Sequence, residues 1–520
     1  MSDSTSKTPP TPDPDRYFRT DHIEADLKSR SVRSGVVTMT TQIAKFILNL
    51  GSTAVLARML SPADYGLVAM VTTITSFVGN FKDLGLSQAT VQRSEINHSQ
   101  VSTLFWINVG FGSAIMVVVM ILSPLIAMFY GDGRLTALAV LLSTGFFVGG
   151  LSVQHQSLLK RQMRFGDIAK IDLVSSIIGI GSGIVAALIL PNEYEYWALA
   201  IMQVTVGIVT AVGSWLACGW RPGWFVRGAG VRSMLAFGGY LAGFNAINYF
   251  TRNADYILIG KFWGAIPLGL YTKAYNLLLL PITQINTPIG AVALPALCRL
   301  QDNPERYRSF YRMGLRLAVS LGMPVVAFLL VTADEVILLL LGEKWLSAVP
   351  IFQQLAIPSF LGTFNMATGW VYTSLGRTDR QFQVNVIISA ITVASFAIGV
   401  RWGALGVATA FSCSVLITRI PSIIHCYRGT PLQLQDLWDA IGRPAMAAIA
   451  AGFVLAVVDR QLPPVTGEIP LIFVGLRLVG EAALYTLFYG GFWLAPPNGK
   501  QAISEMWQIR KTLKQKPKSE

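Results

Sequence analysis

The stretch Leu56–Met70, LARMLSPADYGLVAM, decides how the chain is organised. It joins two apolar runs, each long enough to cross a bilayer. The first run spans Ser34 to Leu56 and ends at Ala57-Arg58; Ser61-Pro62 forms the turn, because proline cannot continue a helix, and Tyr65-Gly66 opens the next run. The same turn returns about two hundred residues later. In IGKFWGAIPLGLY, starting at Ile259, Lys261 takes the place of Arg58, Gly269 that of Gly66 and Leu270 that of Leu67. Gly35 and Gly238 share this offset, so the match spans a helical hairpin and points to a repeated lobe.

Composition sets the class. Of the 520 residues, 52% are hydrophobic and only 13% charged, where soluble domains carry roughly a quarter charged residues. This is the profile of an all-α, polytopic membrane protein. The net charge of +13 does not indicate a nucleic-acid partner, because the basic residues sit in short spacers between apolar runs. Residues 1–30 are polar and rich in Pro, Asp and Ser, so they read as a disordered tail without a signal-peptide core, and the first spanning helix serves as the insertion signal. Cys218, Cys298, Cys413 and Cys426 fall in or beside helices and offer no disulfide framework.

A hydrocarbon core of about 30 Å needs about 20 apolar residues per helix. Fourteen such runs are expected, near 34–57, 64–81, 100–129, 135–158, 168–190, 195–218, 233–260, 268–296, 311–332, 346–375, 381–400, 403–427, 437–458 and 470–494. One set of spacers, including Lys160, Arg161, Arg164, Arg221, Arg306, Arg308 and the tail after Arg510, holds about thirty of the 41 basic residues, so both termini are expected in the cytoplasm. Trp197, Trp263, Trp345 and Trp402 are expected at the outer interface. RFGDIAKIDLVSS (Arg164–Ser176) matches RTDRQFQVNVIIS (Arg377–Ser389), and WALA at Trp197 matches GALG at Gly403. The chain then reads as a tail (1–30), an N-lobe of helices 1–6 (31–220), a C-lobe of helices 7–12 (221–430), helices 13 and 14 (431–497) and a basic cytoplasmic tail (498–520). Two six-helix lobes repeated in parallel are related by a pseudo-twofold axis along the membrane normal, with a cavity expected between them.

No spacer is long enough to fold as a catalytic domain, and GxxxxGK[ST], HExxH, CxxC and GxSxG are all absent from the sequence. No catalytic residue, metal or cofactor is expected.

The chain resembles the polysaccharide transporter, or Wzx-type oligosaccharide flippase, family, within the superfamily that also contains multidrug exporters and lipid II flippases. The resemblance rests on LARMLSPADYGLVAMV (Leu56–Val71), DLGLSQATVQR (Asp83–Arg93), RQMRFGDIAK (Arg161–Lys170), NADYILIGKFWG (Asn253–Gly264) and LGLYTKAYNLLLLP (Leu268–Pro281). It implies a bacterial inner-membrane exchanger that moves undecaprenyl-pyrophosphate-linked oligosaccharides by alternating access, for exopolysaccharide, capsule or O-antigen synthesis. Its partners would be the lipid-linked oligosaccharide, membrane lipids, and the polymerase and export machinery of the same pathway. A cation-coupled multidrug exporter and an integral-membrane polymerase or ligase are the alternatives.

A pyrophosphate-linked glycan calls for cations and hydrogen-bond donors screened from acyl chains, and an ionisable residue inside a spanning helix is costly enough to suggest a function. Lys45 lies near the middle of the first helix, either facing the cavity or paired with a neighbouring helix. Asn245, Asn248, Arg252 and Asp255 follow i, i+3, i+7 and i+10 and share one helix face, with a neutral Arg252–Asp255 pair as the structural alternative. Lys273 is flanked by Tyr271, Tyr275 and Asn276, near enough to the interface to snorkel. Asp83, Arg93 and Arg164 form a candidate inner gate or docking patch. Gln154, His155 and Gln156, with Gln353, Gln354 and Asn365, are secondary candidates for sugar hydroxyls, while Arg477 and Glu481 at i, i+4 are expected to neutralise each other.

Overall fold

The computed structural model describes residues 27–79, 86–93, 96–226, 249, 252–464 and 470–494, together with Phe18. The described residues are helical throughout, connected by short turns, with no strand among them. In chain order the α-helices are α1 (Leu27–Met59), α2 (Pro62–Gly79), α3 (Leu86–Gln92), α4 (His98–Tyr130), α5 (Arg134–Arg161), α6 (Phe165–Ile189), α7 (Tyr196–Cys218), α8 (252–263), α9 (Ala265–Arg299), α10 (Pro304–Val331), α11 (Ala333–Leu340), α12 (Val349–Gly362), α13 (Asn365–Ser374), α14 (Thr378–Gly399), α15 (Gly403–Tyr427), α16 (Leu434–Asp459) and α17 (Leu471–Leu494).

Thirteen of the fourteen expected spans coincide with described helices; most of the other, 233–260, lies outside the described residues. The expected run 346–375 is broken: α12 stops at Gly362, Thr363-Phe364 make a turn, and α13 begins at Asn365. Leu188, Ile189, Met128 and Leu216 are each more than 70% exposed on the isolated chain. Leucine, isoleucine and methionine exposed this far along helices of 23 to 33 residues belong in hydrocarbon, where helices satisfy their own backbone groups. The chain is a multi-pass membrane protein.

The contacts divide the chain into two compact units, residues 1–60 with 67–253, and residues 61–66 with 254–520. In the first, α4 and α5 cross where both backbones are bare: a Cβ on Gly112 would lie 2.5 Å from the Phe146 carbonyl oxygen, and one on Gly150 would lie 2.7 Å from that of Asn108. Small residues let helices approach closely where lipid supplies no hydrophobic drive between them. Gly179 and Gly183 of α6 do the same against Val206 and Met202 of α7. Phe105, Leu104, Leu158, Cys218 and Trp220 form a core at one end, into which Phe18 of the tail inserts at 5% exposure. The first 30 residues, read as disordered, therefore contain at least this one packed side chain.

In the second unit, Tyr307 and Tyr311 of α10, Trp370 of α13, Tyr427 of α15 and Ala448 of α16 share one core. The Tyr311 and Tyr427 hydroxyls lie 2.9 Å apart. Asp436, 1% exposed, accepts from Arg308 at 3.1 and 3.0 Å and fastens the start of α16 to α10. Pro62 is the first residue of α2, where its missing N–H costs nothing. Ser61 N donates to Asp64 Oδ2 at 2.8 Å and Asp64 N to Ser61 Oγ at 3.4 Å, a capping box written S-P-A-D.

The repeated glycines meet each other. A Cβ on Gly66 would drive into the Ala265 carbonyl, and one on Gly269 into the Pro62 carbonyl. Pro62 and Ala265 are themselves related by the repeat offset, so the contact is reciprocal. The sequence motif marks the place where the first turns of α2 and α9 touch backbone to backbone.

Candidate functional site

In the first compact unit Lys45 does not stand alone. Its Nζ donates to Asp172 Oδ2 of α6 at 2.9 Å, and both side chains are about one-third exposed (38% and 36%). The sequence reading singled out Lys45 and allowed a neighbouring-helix partner; it missed which residue that is, although Asp172 lies inside the repeated stretch RFGDIAKIDLVSS. Arg252 is exposed at the start of α8. Asn245 and Asn248, placed on the same face as Arg252, lie outside the described residues.

At the inner-gate candidate, Arg164, just before α6, pairs with Asp167 in the first turn of α6 at 2.7 Å. Arg161 is the buried member of that basic spacer, 6% exposed, and donates to the carbonyl oxygens of Phe18 and Thr90, both at 3.2 Å, and of Arg93. A guanidinium spent on three main-chain carbonyls organises the local backbone. Arg93 takes part through its carbonyl there, and Asp83 lies outside the described residues. Gln154 and His155 are fully buried. The ring of His155 stacks on Trp215 at 4.4 Å and meets Phe105 edge-on, consistent with a packing residue.

In the second unit the candidates of α8 and α9 come together around Tyr271. Asp255, 4% exposed, accepts from Tyr271 Oη at 2.9 Å. Tyr271 itself is fully buried. Arg252 and Asp255, joined in the sequence reading by helical spacing, differ in environment, the first exposed and the second buried under Tyr271. The Nζ of Lys273 sits 3.9 Å from the centre of the Tyr65 ring, which Trp345 also meets edge-on at 5.3 Å. An aromatic face gives a cation an attractive contact in a place that water reaches poorly. Trp345 is fully buried here, so it is not the interfacial anchor expected of it; Tyr65 draws it inward. Trp263 donates to the Val400 carbonyl at 2.6 Å. Asn276 is exposed.

Arg419 of α15 escaped the sequence reading altogether. It donates to Asn365 Oδ1 of α13 and lies 5.9 Å from the centre of the Phe364 ring, while its Nε is buried with no hydrogen-bond partner. The available signal was a lone arginine within the apolar run 403–427. Two buried or half-buried cations, Lys273 and Arg419, thus lie in this unit, each backed by an aromatic ring.

A family model described as "Polysaccharide biosynthesis protein" matches residues 55–350, more than half of the chain. The chain belongs to this family. TuaB of Bacillus subtilis strain 168, a teichuronic acid biosynthesis protein, is similar to this chain, 30% identical over 70% of this chain and 73% of that one. WzxC of Escherichia coli strain K12, a lipopolysaccharide biosynthesis protein, is 29% identical over 72% of this chain and 76% of its own length. ExoT of Rhizobium meliloti strain 1021, a succinoglycan biosynthesis transport protein, is 22% identical over 83% and 87%. The fold is that of the lipid II flippase MurJ in an inward closed conformation (TM-score 0.67, 14% identity, 89% of this chain and 99% of that one). An inward-facing multidrug MATE transporter shares it at TM-score 0.59, with 14% identity over 75% of this chain and 97% of that one. The family match includes the opening motif, the glycine crossing and Lys273; Lys45 and Arg419 lie outside the matched stretch.

Proposed function

We propose that this polysaccharide biosynthesis protein is a flippase that carries undecaprenyl-pyrophosphate-linked oligosaccharide repeat units across the bacterial inner membrane by alternating access, with both termini in the cytoplasm. The observation that carries the reading is the combination of two likenesses in one chain: a sequence family of polysaccharide biosynthesis proteins and the fold of a lipid II flippase. The side chains support it. Among the described residues of the second unit, Lys273 and Arg419 are cations with an aromatic ring beside them and no carboxylate partner, suited to a pyrophosphate, and in the first unit Lys45 is basic with an anion already in place beside it. In this reading an arriving pyrophosphate competes with Asp172 for Lys45, so the ion pair is a place-holder for the substrate. Within the first unit Arg252, and within the second Lys273, offer further positive charge to a substrate of this class, and the exposed Asn276 offers a polar group to its sugars. Polymerase and export proteins of the same pathway would receive the product.

The test is transport of a fluorescent lipid-linked oligosaccharide in proteoliposomes. Substrate should cross to the inner leaflet with unchanged mass. A lengthened glycan chain would make the protein a polymerase, and movement of cationic drugs without the lipid-linked sugar would make it a multidrug exporter.

A further inference from the structure

The two copies of the repeated stretch, RFGDIAKIDLVSS and RTDRQFQVNVIIS, differ in charge where their helices begin. Arg164 and Arg377 occupy the same place in it, but Asp167, which takes up Arg164 at 2.7 Å, is matched by Arg380. A carboxylate that closes an ion pair in the first unit is thus replaced in the second by another cation. There Arg377 donates through Nη1 to the Arg428 carbonyl oxygen at 2.9 Å and through Nη2 to that of Gly429, while Arg380 Nη1 donates to the same Arg428 oxygen at 3.2 Å. Two guanidinium groups meet at one atom just past the end of α15, and Arg428 brings a third within a side chain's length of it.

Other arginines of this unit find carboxylates. Arg477 of α17 meets Glu335, Asp459 and Glu481 at 2.9, 2.5 and 2.9 Å, and Arg308 meets Asp436 at 3.0 Å. Among the described residues none of Arg377, Arg380 and Arg428 pairs with an acid; Asp379, between the first two in sequence, is exposed and forms no ion pair with them. Helix capping accounts for one arginine, since a basic side chain commonly takes the last carbonyls of a helix. It does not account for a second guanidinium held on the same oxygen against the repulsion of the first. Arg377 and Arg380 engage three N–H donors in all, and each guanidinium has five, arranged in the planar fork that fits phosphate oxygens.

The depth of the cluster identifies what carries that phosphate. Phe382 and Ile387 on α14, and Ile417 and Ile420 on α15, are exposed on the isolated chain, and side chains of this kind along spanning helices face acyl chains. Phe382 lies two residues beyond Arg380, so hydrocarbon begins within about a turn of the arginines, which puts them at the level of lipid headgroups. We propose that Arg377, Arg380 and Arg428 bind the phosphate of an anionic phospholipid headgroup and tie the junction of α14 and α15 to one leaflet. Free phosphate shares the chemistry; the apolar faces beside the cluster favour a phosphate that carries acyl chains. The site involves none of the residues assigned to the substrate above and does not rest on the flippase reading.

Thermal unfolding of the full-length protein in detergent tests this with three added probes: dioctanoyl phosphatidylglycerol, dioctanoyl phosphatidylcholine and sodium phosphate. Phosphatidylglycerol at saturation should raise the midpoint by about 1–3 °C, and phosphatidylcholine, whose choline cancels the phosphate charge, by about a third of that or less. Arg380→Asp copies the arrangement of Arg164 and Asp167 and gives Arg377 a partner of its own. It places an acid at an exposed position in the first turn of α14, which helices favour, so the fold should hold. That variant should lose about half of the phosphatidylglycerol shift or more, as should Arg380→Gln. Lys170→Gln, which removes one exposed charge from the matching stretch of the first unit, should keep it. An undiminished shift in both Arg380 variants would overturn the proposal, and an equal loss in Lys170→Gln would do so by reducing the effect to net charge. Equal stabilisation by phosphatidylcholine would also overturn it, and stabilisation by sodium phosphate as large as that by phosphatidylglycerol would assign the site to a free anion. None of these readouts involves transport, so their failure leaves the flippase reading untouched.

Discussion

Lys45 and Asp172 are 127 positions apart and touch at 2.9 Å, which explains both what the sequence disclosed and what it hid. A lysine in an apolar run is visible because it breaks the run; its partner is chosen by packing between α1 and α6. A pair exposed this far contributes only about 0–1 kcal/mol. Lys45→Ala is therefore expected to express and melt near wild type while reducing export of polymer by tenfold or more. Asp172→Asn, which keeps the lysine and removes its anion, should be milder in export assays. Lys273 gives a second residue-level expectation: Tyr65→Phe preserves the ring face and should keep export within about twofold, whereas Lys273→Met should lower it at least tenfold, since a cation–π contact is worth only about 0.5–2 kcal/mol and its loss leaves the fold intact. Equal export from Lys273→Met and wild type would remove that residue from the site. Arg419 shows the opposite failure of reading: it was as visible as Lys45 in the sequence, yet only its contact with Asn365 and Phe364 sets it apart from an arginine at a helix end.

Among the elements, α2 and α9 show why a glycine recurs at a fixed offset. Gly66 and Gly269 face one another's preceding turn, and any side chain would enter a backbone carbonyl. Since a backbone cannot rotate away as a side chain can, Gly66→Val or Gly269→Val should destabilise by about 1–3 kcal/mol or prevent accumulation, as measured by thermal unfolding in detergent. The neighbouring Gly35, with nothing near its Cβ position, should tolerate alanine with little change. The helices themselves were legible from apolar run lengths and from proline and glycine punctuation at Ser61-Pro62. The break at Thr363-Phe364 was not, because FLGTFN carries no proline and its hydropathy continues through the turn. The three prolines inside α9, Pro281, Pro288 and Pro295, likewise did not end the helix: in a long membrane helix neighbouring groups take up the backbone positions that proline leaves open.

For the whole molecule, the basic spacers give an expectation that needs no site at all. Reporter fusions that fluoresce only in the cytoplasm should be active at both ends of the chain and after the spacers at Arg161 and Arg306, and inactive after those at Arg134 and Lys344. The opposite pattern would reverse the proposed direction of transport. Membrane class, helix number, the repeat and the family follow from the sequence alone, because each depends on local hydropathy, on punctuation, or on motifs read within a few residues of one another. Charge partnerships belong to the tertiary structure. Asp172 against Lys45, Tyr65 beneath Lys273, and three carboxylates around Arg477 join residues far apart in the chain, and electrostatic interaction depends on distance and local dielectric, neither of which linear order supplies.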